Sequence, residues 1–106
     1  MSRFSEKDWK LFRSKIADWQ EAYMEKLNKE YIELLSGEGN ASDKFWTLEK
    51  RLREDKKNCG VQCEMRRSTQ FYTMISLLNE GAITLEDLDE FSDDLKDTMK
   101  HFFKRK

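Results

Sequence analysis

The 106-residue sequence predicts an all-α fold, a small helical bundle of about four helices with a long first helix, in a single domain over 1–106. Three observations carry that expectation. The chain has no proline and only four glycines, at 37, 39, 60 and 81, so little interrupts a helix. Apolar residues recur at steps of three and four through most of its length. Seven Phe, three Trp and three Tyr supply large apolar units for a core. Each is worth about 1.5–3 kcal/mol when fully buried.

The first helix is predicted near 5–35. Ser5 stands as its N-cap, with Asp8 three residues on, and Phe4 and Trp9 occupy the positions of a hydrophobic staple. Trp9, Phe12, Ile16, Trp19, Tyr23, Leu27, Tyr31 and Leu34 then form one stripe, and Gly37 ends the helix. Two successive steps of four, from 23 to 31, argue against a long regular coiled coil.

A second helix is expected near 43–57, capped by Ser42 or Asp43. Phe45, Leu48 and Leu52 form its stripe, with Trp46 beside it. Asn58-Cys59-Gly60 is a stop, although helices two and three could run on through it. The third helix is placed at 61–80, ending at Gly81. It is apolar on two sides, with Met74 and Leu77 off the main stripe, so it wants two neighbours. The fourth is placed at 85–104, capped by Thr84 with Asp87 three residues on and a second staple in Ile83 and Leu88. The expected core is Trp9, Phe12, Ile16, Trp19, Tyr23, Leu27, Leu48, Leu52, Phe71, Ile75, Leu78, Leu88, Phe91, Leu95 and Met99.

The charge balance, 20 basic against 21 acidic residues, gives no global pull toward nucleic acid or membrane. No apolar run approaches the roughly 20 residues of a membrane span, and the first residues lack the apolar stretch of a signal peptide. The expected location is therefore the cytoplasm, with Cys59 and Cys63 as reduced thiols.

Little points to catalysis. Cys59 and Cys63 are spaced C-x3-C, which is not the redox spacing, and the only histidine, His101, lies far along the chain. The expectation is no metal, no cofactor and no enzymatic activity. No glycine-rich phosphate loop, G-x-S-x-G or H-E-x-x-H is present. Seven acids and no bases between residues 68 and 95 read as a solvated face. Seven bases in segment 50–67 (Lys50, Arg51, Arg53, Lys56, Lys57, Arg66 and Arg67) form a candidate basic patch, with acids interleaved.

The segments EKDWKLFRSKI, WQEAYMEKLNKEYIELL, FWTLEKRLREDKK and NEGAITLEDLDEFSDDLK together cover most of the chain. They resemble a family of small helical proteins of low-GC Gram-positive bacteria, some of which carry an automatic label of multidrug transporter. That label does not suit a chain without a membrane span. The resemblance implies a bacterial, cytoplasmic origin and carries no functional residue over.

The resulting expectation is a helical protein-interaction module, acting on a protein partner and forming a homodimer. Trp9, Phe12, Tyr31, Met74 and Leu77 are the expected dimer or partner face. The rival expectation is a small nucleic-acid-binding regulator that uses the basic segment 50–67.

Overall fold

The computed structural model describes residues 4–103. It contains four α-helices, α1 (Glu6–Ser36), α2 (Ala41–Asp55), α3 (Gln70–Glu80) and α4 (Asp93–Phe102), with short 3-10 turns at Arg67–Thr69 and Leu85–Leu88. Among the described residues there is no β-strand, so the all-α expectation holds. The chain is elongated, 51 × 27 × 21 Å. Its radius of gyration of 16.2 Å exceeds the roughly 13 Å of a compact domain this long.

The elongation follows from helix lengths. At 1.5 Å per residue the 31 residues of α1 reach about 46 Å, while the 11 of α3 and 10 of α4 reach only about 16 Å each. The body, with α3 at its centre, covers the first half of α1. The second half of α1 pairs with α2, and the two form a two-helix arm.

The core of the body joins Phe12 and Ile16 of α1, Met74, Leu77 and Leu78 of α3, Ile83, Leu88 and Phe91 of the segment before α4, and Leu95 and Met99 of α4. A row of rings runs through it, Trp9 to Phe12 to Trp19 to Phe91, with successive centroids 6.0, 6.1 and 6.2 Å apart. Trp9, Trp19, Phe71 and Ile75, expected inside, pack on this core while staying partly exposed. Leu48 is half-buried and Leu52 is exposed, because α2 has no third helix over it and buries no residue fully.

The helix ends follow local chemistry in part. Ser5 Oγ accepts from the Asp8 amide at 3.1 Å, as expected. At α2 the cap is Asn40, whose Oδ1 accepts from the Asp43 amide at 3.2 Å, rather than Ser42 or Asp43. At Gly81, φ is +80°, and the Ala82 amide reaches back to the Leu77 carbonyl at 2.9 Å, closing α3 in a Schellman-type turn.

Two expected helices are shorter than the sequence pattern implies. The third begins at Gln70, not at 61, and the segment before it is an irregular connection that ends in the Arg67–Thr69 turn. The Cys59 and Gly60 amides donate to the Glu80 carboxylate at 2.9 and 3.0 Å, and the Cys59 carbonyl accepts from Gln20 Nε2 at 2.8 Å. Helices two and three are therefore separate. Asp87 accepts from the Thr84 amide at 2.7 Å, yet this start yields only one 3-10 turn. The true cap of α4 is Ser92, whose Oγ accepts from the Leu95 amide at 3.2 Å.

Candidate interaction surface

The expected partner face is largely interior. Phe12 is 1% exposed, and Met74 and Leu77 are fully buried. The correction has a simple cause. α3 is central, so its second apolar side meets this chain's own core. Trp9 is half-buried against that core, and Tyr31 is half-buried in the arm.

The basic segment does not converge into one patch either. Arg67 lies by the start of α1, paired with Glu6 and donating to the Phe4 carbonyl at 3.2 Å. Arg51 lies beside Glu30, about 24 residues or roughly 36 Å further along α1. The arginine charges are also engaged within the chain. Arg51 pairs with Glu30 at 2.8 Å and Asp55 at 3.3 Å, and lies 5.4 Å over the Tyr31 ring. Arg53 pairs with Glu49, and Arg66 with Glu64 at 3.2 Å. Lys50, Lys56 and Lys57 are exposed.

The base of the arm is built from polar contacts. Gly60 packs flat on Tyr23, where a Cβ would come within 2.3 Å of the ring. Asn58 Nδ2 donates to the Tyr23 hydroxyl at 2.9 Å. The Tyr31 hydroxyl donates to Asp55 Oδ2 at 2.5 Å. Burial, and then this bond to a carboxylate, push the Tyr31 phenol up to about 12.

Beside these contacts a cleft of about 160 Å³ opens between α1 and α2. It is lined by Met24, Leu27, Asn28, Tyr31, Leu52, Asp55, Lys56 and Val61. Toward the tip of the arm, large apolar side chains stand in solvent. Ile32 is 62% exposed, Phe45 61% and Trp46 63%, and Leu35 is also exposed. Phe45 and Trp46 meet edge to face at 5.0 Å.

Helical spacing puts Leu35, Phe45 and the cleft on one side of the arm, with Ile32 at its edge, while Trp46 is about 120° round α2 from Leu52 and faces away. Leu35 is seven residues after Asn28, and Phe45 seven before Leu52, so each stands almost directly in line with a cleft residue. Sequence reasoning left out Ile32 and Leu35. Their signal was there, since both are apolar positions off the main stripe of α1.

The cysteines sit at the junction of body and arm. Both are half-buried free thiols, and burial pushes each thiol up from its ordinary range. Gln20 Nε2 lies 3.7 Å from Cys63 Sγ. Among the described residues no group of three His, Cys, Asp or Glu side chains is placed to hold a metal ion. Among them, too, no helix is long and apolar enough to cross a membrane.

No protein-family model matches the sequence, and no curated protein or solved structure is found similar to it.

Proposed function

We propose that this chain is a helical protein-interaction module that acts by binding a protein partner and performs no catalysis. The observation that carries this reading is the uncovered apolar side of the arm. Ile32, Leu35, Phe45 and Leu52 stay in water although the chain has a separate, well-filled core. Exposing that much apolar surface is unfavourable, and a contiguous patch of this kind marks a contact site. Two parallel apolar ridges with a cleft between them suit a helix of another protein, seated as helices seat in a groove.

The nucleic-acid reading draws less support. Four of the seven bases it uses are arginines already paired with carboxylates, and they lie at two distant places. A binder that relies on phosphate contacts needs free cations on one face.

A photo-reactive amino acid placed at residue 35 tests the interaction module in living cells. The expected result is a covalent adduct of discrete mass, absent when the same group is placed at exposed Arg13 on the body. No adduct at residue 35, or equal labelling from both positions, would overturn the reading.

A further inference from the structure

We infer that the partner seated on the arm is a second copy of this chain, lying antiparallel so that two arms close into a four-helix bundle. This rests on the interaction reading above and names its partner. Two independent features of the arm are self-complementary.

The first is charge. The distal half, residues 30–49, carries five acids (Glu30, Glu33, Glu38, Asp43 and Glu49) against one base, Lys44. The proximal half, residues 21–29 with 50–57, carries seven bases against four acids, and five of those bases lie between Lys50 and Lys57. The halves therefore differ in sign, −4 against +3 by count, and still −2 against +1 when the Arg51–Glu30 and Arg53–Glu49 pairs that join them are set aside. Laid parallel, two arms would set like charge on like. Laid antiparallel, each acidic tip meets the other copy's basic base, an arrangement that favours encounter and fixes register.

The second feature is shape. Leu35 and Phe45 stand at one level of the arm, and the cleft lies one level below, beside Asn28 and Leu52. The separation is seven residues along each helix, about 10 Å. A two-fold axis midway between these levels seats each copy's Leu35 and Phe45 over the other's cleft. That cleft, about 160 Å³, has room for a benzene-sized group. A two-fold contact uses the same patch twice, so knob and hole must lie on one side of one chain, as they do here.

Sedimentation equilibrium of the full chain and two charge-reversed variants tests this. One variant carries Lys56→Glu with Lys57→Glu, and the other Glu33→Lys with Glu38→Lys. All four positions are exposed, and circular dichroism checks that both variants fold. The parent is expected at twice its 12.8 kDa chain mass. Each variant alone is expected to associate at least about a hundredfold more weakly, because the first sets a tip of −4 against a base of −1 and the second leaves a tip of zero net charge with no attraction for the +3 base. An equimolar mixture is expected to restore the double mass, since the −4 tip of one variant then meets the +3 base of the other. Leu35→Glu, which touches the apolar knob instead, is expected to give the single mass. A parent at 12.8 kDa across the whole concentration range overturns the second copy, as do variants that dimerise as tightly as the parent. A monomeric parent that still forms an adduct with a different protein through residue 35 overturns only the second copy. The absence of any adduct at residue 35 overturns the module itself.

Discussion

The Asp8 carboxylate holds both hydrogen-bond donors of Ser92, 84 residues away, accepting from its amide at 3.0 Å and from its hydroxyl at 2.5 Å. Asp8 is 2% exposed. Because Ser92 caps α4 and Ser5 caps α1 through the Asp8 amide, the two helix starts share one polar knot. Removing one member of a buried, charged hydrogen-bond set leaves the others unsatisfied. Asp8→Ala is therefore expected to cost about 1.5–3 kcal/mol in urea unfolding. Asp8→Asn, which keeps one acceptor, should cost less. A parent-like midpoint for Asp8→Ala would show that the knot is ornamental to stability.

This knot also explains what the sequence conceals. Ser5, Asp87 and Gly81 act within three residues of themselves, so the caps and stops they make are legible locally. The cap at Ser92 is not legible in this way, because its donors are held by Asp8, 84 residues away. The break between helices two and three has the same kind of cause, since Glu80 and Gln20 take up the backbone groups of Cys59 and Gly60. Periodicity placed Met74 and Leu77 on a second face correctly. It carries no information on whether this chain or another covers that face, so the expected partner surface fell on core residues.

Gly60 offers a steric test. A methyl group there would sit 2.3 Å from a Tyr23 ring carbon, so Gly60→Ala must displace the ring or the 56–66 connection. Overpacking of this kind costs about 1–3 kcal/mol. Thermal denaturation should show the loss, and adding Tyr23→Leu should recover part of it. If Gly60→Ala melts like the parent, the Tyr23–Gly60 contact does not hold the connection in place.

Tyr31 gives the arm a pH dependence. In the folded chain burial and the Asp55 bond hold the phenol proton until about 12, whereas the unfolded phenol releases it near 10.0. The folded value is the higher one, so this contribution is complete below pH 10.0 and fades as pH rises toward 12. Tyr31→Phe should flatten the alkaline decline in stability over that window. Tyr23, also raised by burial, should leave a residual slope. An unchanged decline in Tyr31→Phe would contradict the half-buried phenol–carboxylate pair.

The two thiols should be slow nucleophiles. Burial raises both Cys59 and Cys63, and the thiolate is the reactive form. Alkylation by iodoacetamide at neutral pH is expected to run well below the rate of the urea-unfolded chain and to climb in the alkaline range. Equal rates folded and unfolded would mean that the junction of arm and body is open.

The central claim is that the apolar side of the arm serves contact with another protein and not the folding of its own chain. Urea unfolding at protein concentrations low enough to keep chains apart, followed by tryptophan fluorescence, tests it most directly. Ile32→Gln with Phe45→Gln replaces two exposed apolar groups with good helix formers. The account predicts a stability within about 1 kcal/mol of the parent, as for surface substitutions. Leu77→Ala in the core should lose about 2–5 kcal/mol in the same assay. A loss of core size from the Ile32 and Phe45 pair would contradict the claim, because those side chains would then be holding the chain itself together.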